Sequence, residues 1–154
     1  MPGTDSLDFH CFAYASRRTA RAVTNYFNQR LAPFDLNVAQ FGLMAAVAKM
    51  PESTLAAVGD AMLLDESTMA RNFNVLERRG LMEAEGGRGR GGKRISLTKE
   101  GQALHAEALC VWTKTNQKIA RMLGPQHAEA GQKFLRDLSA ASERLRLKDE
   151  AADG

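Results

Sequence analysis

The sequence predicts a mainly α-helical chain with one small β-hairpin, and two observations carry this prediction. Apolar residues recur at steps of three or four through most of the 154 residues, which is the spacing of a helical face. Two short stretches, Leu81–Ala84 and Arg94–Leu97, instead flank a segment rich in glycine and arginine and are predicted to pair as strands. Because two helices directly precede this hairpin, the region from Thr54 to Lys99 is expected to form a winged helix-turn-helix.

Each of the two helices before the hairpin is marked by an apolar stripe. The stripes comprise Leu55, Val58 and Met62 in the first helix and Met69, Phe73 and Leu76 in the second. Asp65 is predicted to be the N-cap of the second helix, because its carboxylate can accept hydrogen bonds from backbone N–H groups of the first turn. Gly80 predicts the end of that helix.

The opposite face of the second helix is polar and basic. At about 100° per residue it presents Ser67, Arg71, Asn74 and Arg78, with Thr68 and Val75 on its edge. Short side chains at the start of a helix allow close approach to base edges, and Arg and Asn can make bidentate contacts to guanine and adenine. This face therefore favours a DNA recognition helix, and an ordinary polar solvent-exposed face is the alternative reading.

The hairpin supports the nucleic-acid reading. From Gly86 to Lys93 there are five glycines and no acid. The positive charges of the hairpin are Arg88, Arg90, Lys93 and Arg94. Arginines on such a wing suit the minor groove, whose negative potential attracts them. A phosphate-binding glycine loop is less favoured, because the glycines are not followed by Lys-Ser/Thr and no GxGxxG opens a helix.

The order of these motifs resembles the MarR family of bacterial transcriptional regulators, over essentially the whole chain. The residues that carry the resemblance are Thr54-Leu55, Val58, Met62, Ser67-Thr68-Met69, Arg71-Asn72, Leu76-Glu77-Arg78-Arg79-Gly80-Leu81 and Leu97-Thr98-x-x-Gly101. The resemblance implies a dimeric, sequence-specific DNA-binding regulator, expected to be a repressor, that a small ligand or thiol oxidation releases from a pseudo-palindromic operator. Wings of the family usually carry Asp-x-Arg near the tip, where this chain has Gly89-Arg90-Gly91, so which arginine enters the minor groove stays open.

Under this interpretation the DNA contacts fall into three groups. Ser67, Thr68, Arg71 and Asn74 are expected in the major groove, and the resemblance adds Asn72. Arg88 and Arg90 are expected in the adjacent minor groove. Thr54, Lys93 and Arg94 are expected to position the protein on phosphates.

The remaining sequence reads as helices on both sides of this unit. Residues 37–101 form the predicted DNA-binding unit of a single domain spanning 1–154, and residues 8–36 and 102–147 form a helical dimerisation region. Asn37 with Gln40 resembles a capping box, and Gly124-Pro125 breaks the C-terminal region into two helices. Because these helices are apolar along one face, we expect them to pair with a second copy, placing two recognition helices about 34 Å apart.

Composition agrees with a soluble regulator. The net charge is +3, 44% of residues are hydrophobic, and no apolar run approaches the length of a membrane span. Met1 to Asp8 contains acids and no apolar core, so it does not read as a signal peptide and the protein is expected in the cytoplasm. We expect no cofactor, no metal and no enzymatic activity, since the histidines and cysteines have scattered spacings.

The two cysteines leave the sensing chemistry open. Cys11 lies near the start of the first helix, in a segment similar to the thiol-containing start of organic-hydroperoxide sensors of the MarR family. It is a candidate redox sensor, and a buried inert cysteine is the alternative. Cys110, beside Val111-Trp112, is expected to pack in the core. The alternative function is a winged-helix module that binds protein instead of DNA. Such a module would be expected to have an apolar or acidic face on its second helix, whereas the face here is polar and basic.

Overall fold

The computed structural model describes residues 11–86 and 92–152. In chain order its elements are α1 (Phe12–Leu31), a short 3-10 helix (Ala32–Phe34), α2 (Val38–Lys49), α3 (Leu55–Met62), α4 (Glu66–Arg78), β1 (Met82–Glu85), β2 (Arg94–Leu97), α5 (Lys99–Leu123) and α6 (Pro125–Ala152). The prediction of a mainly helical chain with one hairpin is confirmed. The chain comprises two compact units, and the boundary falls within α5 between Trp112 and Thr113.

Side-chain caps fix where several helices begin. Asn37 and Gln40 form the predicted capping box, since each accepts a hydrogen bond from the other's backbone N–H, at 2.9 Å and 3.0 Å. Asp65 caps α4 by accepting from the N–H of Thr68 at 2.9 Å. At the other end of α4, Gly80 adopts a φ of 69°, the left-handed conformation that ends a helix and that glycine adopts without strain.

The two strands of the wing pair antiparallel, with Met82 opposite Leu97 and Glu85 opposite Arg94. The N–H of Ile95 also donates to the carbonyl of Ser53 at 3.0 Å, and Thr54 forms a bridge with Arg94. The segment that leads into α3 therefore lies along β2 and joins the base of the wing to the helix-turn-helix.

The core of the first unit lies between α2, α4 and the inner face of the hairpin. Its fully buried large side chains are Leu31, Phe41, Leu43, Met44, Val58, Met69, Leu76, Met82 and Ile95. Burial of this much apolar surface from consecutive elements holds the orientation of α4 fixed relative to the wing.

Aromatic rings join α1, α2 and α5 within the first unit. Trp112 stacks on Phe41 with ring centroids 4.5 Å apart and contacts Phe27 at 4.3 Å. His105 stacks on the same Phe41 at 5.5 Å, and its Nε2 is buried without a hydrogen-bond partner among the described residues. Burial lowers the pKa of His105, because the charged imidazolium is disfavoured away from water.

The junction between the wing and α5 is closely packed. Thr98 donates its hydroxyl hydrogen to the carbonyl of Gly80 at 2.6 Å and accepts from the N–H of Gly101 at 3.0 Å. A Cβ atom at Gly101 would lie 1.9 Å from the carbonyl oxygen of Leu81, far inside contact distance. Only glycine fits at this position, which gives a physical reason for the Leu97-Thr98-x-x-Gly101 pattern.

Parts of both units present apolar side chains to solvent. On α1 the buried residues are Phe27 and Leu31, while Phe12 is 64% exposed and Val23 is also exposed. No residue of α6 is buried, and its exposed apolar residues are Phe134, Leu135, Leu145 and Leu147. Met122, near the end of α5, is 85% exposed.

Membrane-span criteria are not met by any one helix among the described residues. The first two long helices satisfy the length and composition test only when taken together, across a 75° bend.

Candidate nucleic-acid interface

The predicted division of α4 into a buried and an outward face is present in the structure. Met69, Phe73 and Leu76 are buried against the core. Ser67, Arg71, Asn74 and Arg78 are exposed on the opposite side. Three buried anchors spread over two turns hold the backbone of the helix, so the exposed side chains project from a fixed support.

The first turn of α4 is organised around Asp65. Its Oδ1 accepts from the hydroxyl of Ser67 at 2.5 Å and from the N–H of Thr68 at 2.9 Å, and its Oδ2 accepts from the hydroxyl of Thr68 at 2.7 Å. The hydrogen bond from Ser67, followed by those from Thr68, holds the pKa of Asp65 far below its usual range. The carboxylate is therefore ionised at any pH at which the protein would work.

Two arginines, Arg71 and Arg78, lie on the outward face of α4 and differ in their contacts. Arg71 forms no ion pair with any described residue, so its guanidinium is available for an external acceptor. Arg78 donates through Nε to the backbone carbonyl of Asn74 at 3.2 Å, and its two terminal nitrogens have no hydrogen-bond partner among the described residues. The two arginines are separated by nearly two helical turns along one face.

Asn72 differs from the other predicted contacts. Its side chain is half-buried, and its Nδ2 donates to the backbone carbonyl of Thr68 at 3.0 Å. At about 100° per residue it lies well away from the line through Ser67, Arg71 and Asn74. Its observed contact is with the backbone of its own helix.

The base of the wing carries an ion pair. Arg94, expected from the sequence to meet phosphate, donates to the carboxylate of Glu52, and both side chains are largely exposed at 64% and 75%. Glu85 is the residue opposite Arg94 in the strand pair. Lys93 is exposed next to it. Arg88 and Arg90, the predicted minor-groove residues, lie outside the described residues.

Thr54 occupies the other edge of the wing base. It caps α3 by accepting from the N–H of Ala57 at 3.2 Å. Gly92 lies beside it, since a Cβ at this position would be in ordinary contact with the methyl carbon of Thr54 at 3.4 Å, and the φ of 64° at Gly92 favours glycine. Thr54 therefore couples the start of α3 to the returning arm of the wing.

A contact that the sequence did not reveal supports the far end of α4. Arg79 donates to the backbone carbonyls of Asp35 and Phe34, at 2.5 Å and 3.1 Å, and lies 3.8 Å from the Asp35 carboxylate. Arg79 and Asp35 are far apart in sequence, so no local pattern could have paired them. The clue was the double arginine before Gly80, of which only Arg78 belongs to the outward face.

Neither cysteine is buried in the structure. Cys11 is the residue before α1, is partly exposed, and its carbonyl accepts the first helical hydrogen bond from Ala15 at 3.0 Å. Cys110 is exposed, so the expectation that it packs in the core is wrong. The inward face of α5 is set by Ala108 and Trp112, and a residue midway between them in sequence points to the opposite side. Within the described residues no cluster of three potential metal ligands is present.

No protein-family model and no curated protein sequence matches the chain. The structure of the Mycobacterium tuberculosis transcriptional regulator MosR in complex with DNA superposes with a TM-score of 0.77 at 27% identity, covering 89% of this chain and 99% of that one. The PcaV regulator of Streptomyces coelicolor, in complex with its natural ligand, gives a TM-score of 0.80 at 24% identity, with coverages of 92% and 99%.

A MarR-family transcriptional regulator from Rhodococcus matches with a TM-score of 0.74 at 19% identity, over 90% of this chain and 96% of that one. The helix-turn-helix and its hairpin thus form a winged helix-turn-helix, the fold that these solved transcriptional regulators share. Over 89–92% of the chain the fold is that of these solved structures, of which the Rhodococcus protein is a MarR-family regulator, and this confirms the fold that the resemblance implied.

Proposed function

We propose that this protein is a dimeric, sequence-specific DNA-binding transcriptional regulator of the MarR type. The observation that carries the proposal is the outward face of α4, where Ser67, Arg71 and Asn74 are exposed on a helix whose other side is buried in the core. A rigid helix with short polar side chains at its start and arginines further along has the composition that the major groove requires. The likeness to MosR, whose structure contains DNA, supports the same use of the fold here.

In this proposal the interface has two kinds of contact. Ser67, Thr68, Arg71 and Asn74 meet base edges, while Thr54 and Lys93 meet the phosphate backbone and fix the register. Arg88 and Arg90 enter the adjacent minor groove. Asn72 acts by holding the first turns of α4 through its contact with Thr68.

Arg94 contacts phosphate only if it exchanges its partner. Its guanidinium is paired with Glu52 in the free protein, and a phosphate oxygen would have to replace or share that carboxylate. An exposed ion pair contributes little stability, so the exchange is energetically accessible.

The exposed apolar faces support dimerisation. Residues on α1 and, separately, on α6 present apolar side chains to water in the single chain, and such surface is usually covered in the functional assembly. A two-fold dimer would cover it and place two copies of α4 about one DNA turn, ~34 Å, apart on a pseudo-palindromic site. Sedimentation equilibrium would then give twice the chain mass at micromolar concentration.

We further propose that the protein is a cytoplasmic repressor, without enzymatic activity, that is released by a signal. The binding of a natural ligand by PcaV, which has the same fold, supports a small-molecule effector. Oxidation of the Cys11 thiol is the second candidate signal, because that thiol is partly exposed at the start of α1.

The test is fluorescence anisotropy on the DNA upstream of the protein's own coding region, against a scrambled duplex, across a salt titration. We expect selective binding of two chains per site, with affinity falling steeply as salt rises. Equal, weak binding to both duplexes, followed by failure to enrich any sequence from a random library, would contradict the proposal and favour a protein-binding module.

A further inference from the structure

The hydroxyl groups at the leading edge of α4 have no free hydrogen. Ser67 and Thr68 each donate to the carboxylate of Asp65, at 2.5 Å and 2.7 Å, and a hydroxyl has a single hydrogen to donate. Both distances are in the range of strong charge-assisted hydrogen bonds. Each hydroxyl oxygen can then only accept hydrogen bonds, through its lone pairs.

The direction of the hydrogen bonds from Ser67 and Thr68 to Asp65 does not change with pH near neutrality. A protonated Asp65 could return a hydrogen to one hydroxyl, but its ionised form has none. Because the hydrogen bonds from Ser67 and Thr68 hold the pKa of Asp65 far below its usual range, the carboxylate stays ionised near neutrality. Both hydroxyl hydrogens therefore remain directed at Asp65 in the free protein.

We propose that Ser67 and Thr68 read DNA as hydrogen-bond acceptors only, and so select adenine or cytosine over guanine or thymine on the strand that they face, because adenine and cytosine carry the exocyclic amino groups of the major groove. These amino groups are the base donors available there. This inference rests on the proposed function and specifies the chemistry of the same site.

The same polarity excludes other partners. Guanine O6 and N7, thymine O4 and phosphate oxygens are all acceptors, so none can pair with a hydroxyl whose hydrogen is already used. The charge of Asp65 also disfavours an approach of this edge to the backbone. Arg71, one helical turn after Ser67, supplies hydrogen-bond donors, and arginine pairs with the O6 and N7 acceptors of guanine. The half-site should therefore combine an adenine or cytosine with a neighbouring guanine.

The experiment is selection from a randomised duplex library with three proteins: the unaltered chain, Asp65→Asn and Glu66→Gln. Asparagine keeps an N-cap acceptor, but its amide donates to a hydroxyl oxygen and so releases a hydroxyl hydrogen. Glu66→Gln is the matched control, because it removes the same charge from the adjacent exposed position. Both variants should bind all DNA more tightly, so the readout is the ratio between sequences.

We expect the unaltered chain and Glu66→Gln to enrich adenine or cytosine at the same positions, and Asp65→Asn to admit guanine or thymine there. In the enriched duplex, replacing the selected adenine by purine, which lacks the amino group, should weaken binding about 3- to 10-fold. The same replacement should have no further effect on the Ser67→Ala, Thr68→Val double variant.

Two results would overturn the inference. The first is an enriched site whose Asp65→Asn preferences equal those of the unaltered chain. The second is an enriched site that tolerates removal of every amino group. If no sequence is enriched by any of the three proteins, the proposed function itself fails, and this outcome is distinct from both.

Discussion

The hydroxyl of Thr98 donates to the backbone carbonyl of Gly80 at 2.6 Å, and this contact ties the start of α5 to the end of α4. The same oxygen accepts from the N–H of Gly101 and so caps α5. One side chain thus satisfies backbone groups at two helix ends. A change in the position of α5 would be transmitted to the recognition helix through this residue.

Replacing Thr98 by alanine should lower the free energy of unfolding by roughly 1–2 kcal/mol, because the cap and the bond to Gly80 are both lost. Urea denaturation followed by circular dichroism would measure the change. Thr98→Ser keeps the hydroxyl and should recover most of the loss. Equal destabilisation by alanine and serine would show that the methyl group, and not the hydrogen bonds, is what matters.

Gly101→Ala should be more damaging than the loss of any one hydrogen bond here. The new Cβ would overlap the carbonyl oxygen of Leu81, so the start of α5 must move away from the wing, at a cost of about 3 kcal/mol or more. Gly131→Ala is the matched control, since a Cβ there meets nothing within 4 Å and helix propensity favours alanine. Thermal unfolding of the two variants should therefore shift in opposite directions.

Glu52→Gln should strengthen DNA binding on every sequence. Removal of the carboxylate releases Arg94, and one additional phosphate contact should steepen the dependence of log Kd on log salt by about 0.9. Glu129→Gln on α6 is an exposed charge-matched control and should leave that slope unchanged. An unaltered slope for Glu52→Gln would mean that Arg94 does not reach the backbone.

Arg71→Ala should weaken binding to the selected site by roughly 1–3 kcal/mol and relax sequence preference, because a base contact is lost. Lys93→Ala is the contrasting variant: because Lys93 is proposed to contact phosphate, its loss should weaken binding to all sequences alike and lower the slope of log Kd against log salt by about 1. Competition titrations with specific and scrambled duplexes separate the two behaviours. A uniform loss for Arg71→Ala would remove it from base reading.

His105 should make stability pH-dependent below about pH 6.5. Its pKa is lowered in the folded chain, so the unfolded chain binds the proton more readily in this interval. Stability from this residue is complete above the unfolded pKa of about 6.5 and declines as pH falls toward the lowered folded value. His105→Leu should remove this part of the pH dependence in urea titrations; an identical profile for both proteins would contradict the assignment.

Local features were predictable from the sequence because their causes are local. The capping residues Asn37 and Asp65 are recognised by side-chain chemistry within four residues, and the buried stripe of α4 by helical spacing. Glycine at 80 and the Gly124-Pro125 break follow from backbone preference alone.

Contacts between distant segments were not predictable. The ion pair between Glu52 and Arg94 and the hydrogen bonds of Arg79 to the loop before α2 join residues more than 40 positions apart. The prediction that Cys110 is buried was wrong for a related reason. Its apolar neighbours Val111 and Trp112 suggested burial, but the rotation of α5 about its axis decides which residues face the core, and this depends on distant segments. The DNA contacts themselves remain predictions until binding is measured.

The aromatic packing between α1, α2 and α5 has a practical consequence. Trp112 is the only tryptophan of the chain, and it lies against Phe27 and Phe41, one from each of the other two helices. Its intrinsic emission therefore comes from a single site and is sensitive to the separation of three helices at once. Candidate effectors can therefore be screened with the unlabelled protein by following the intrinsic fluorescence of Trp112.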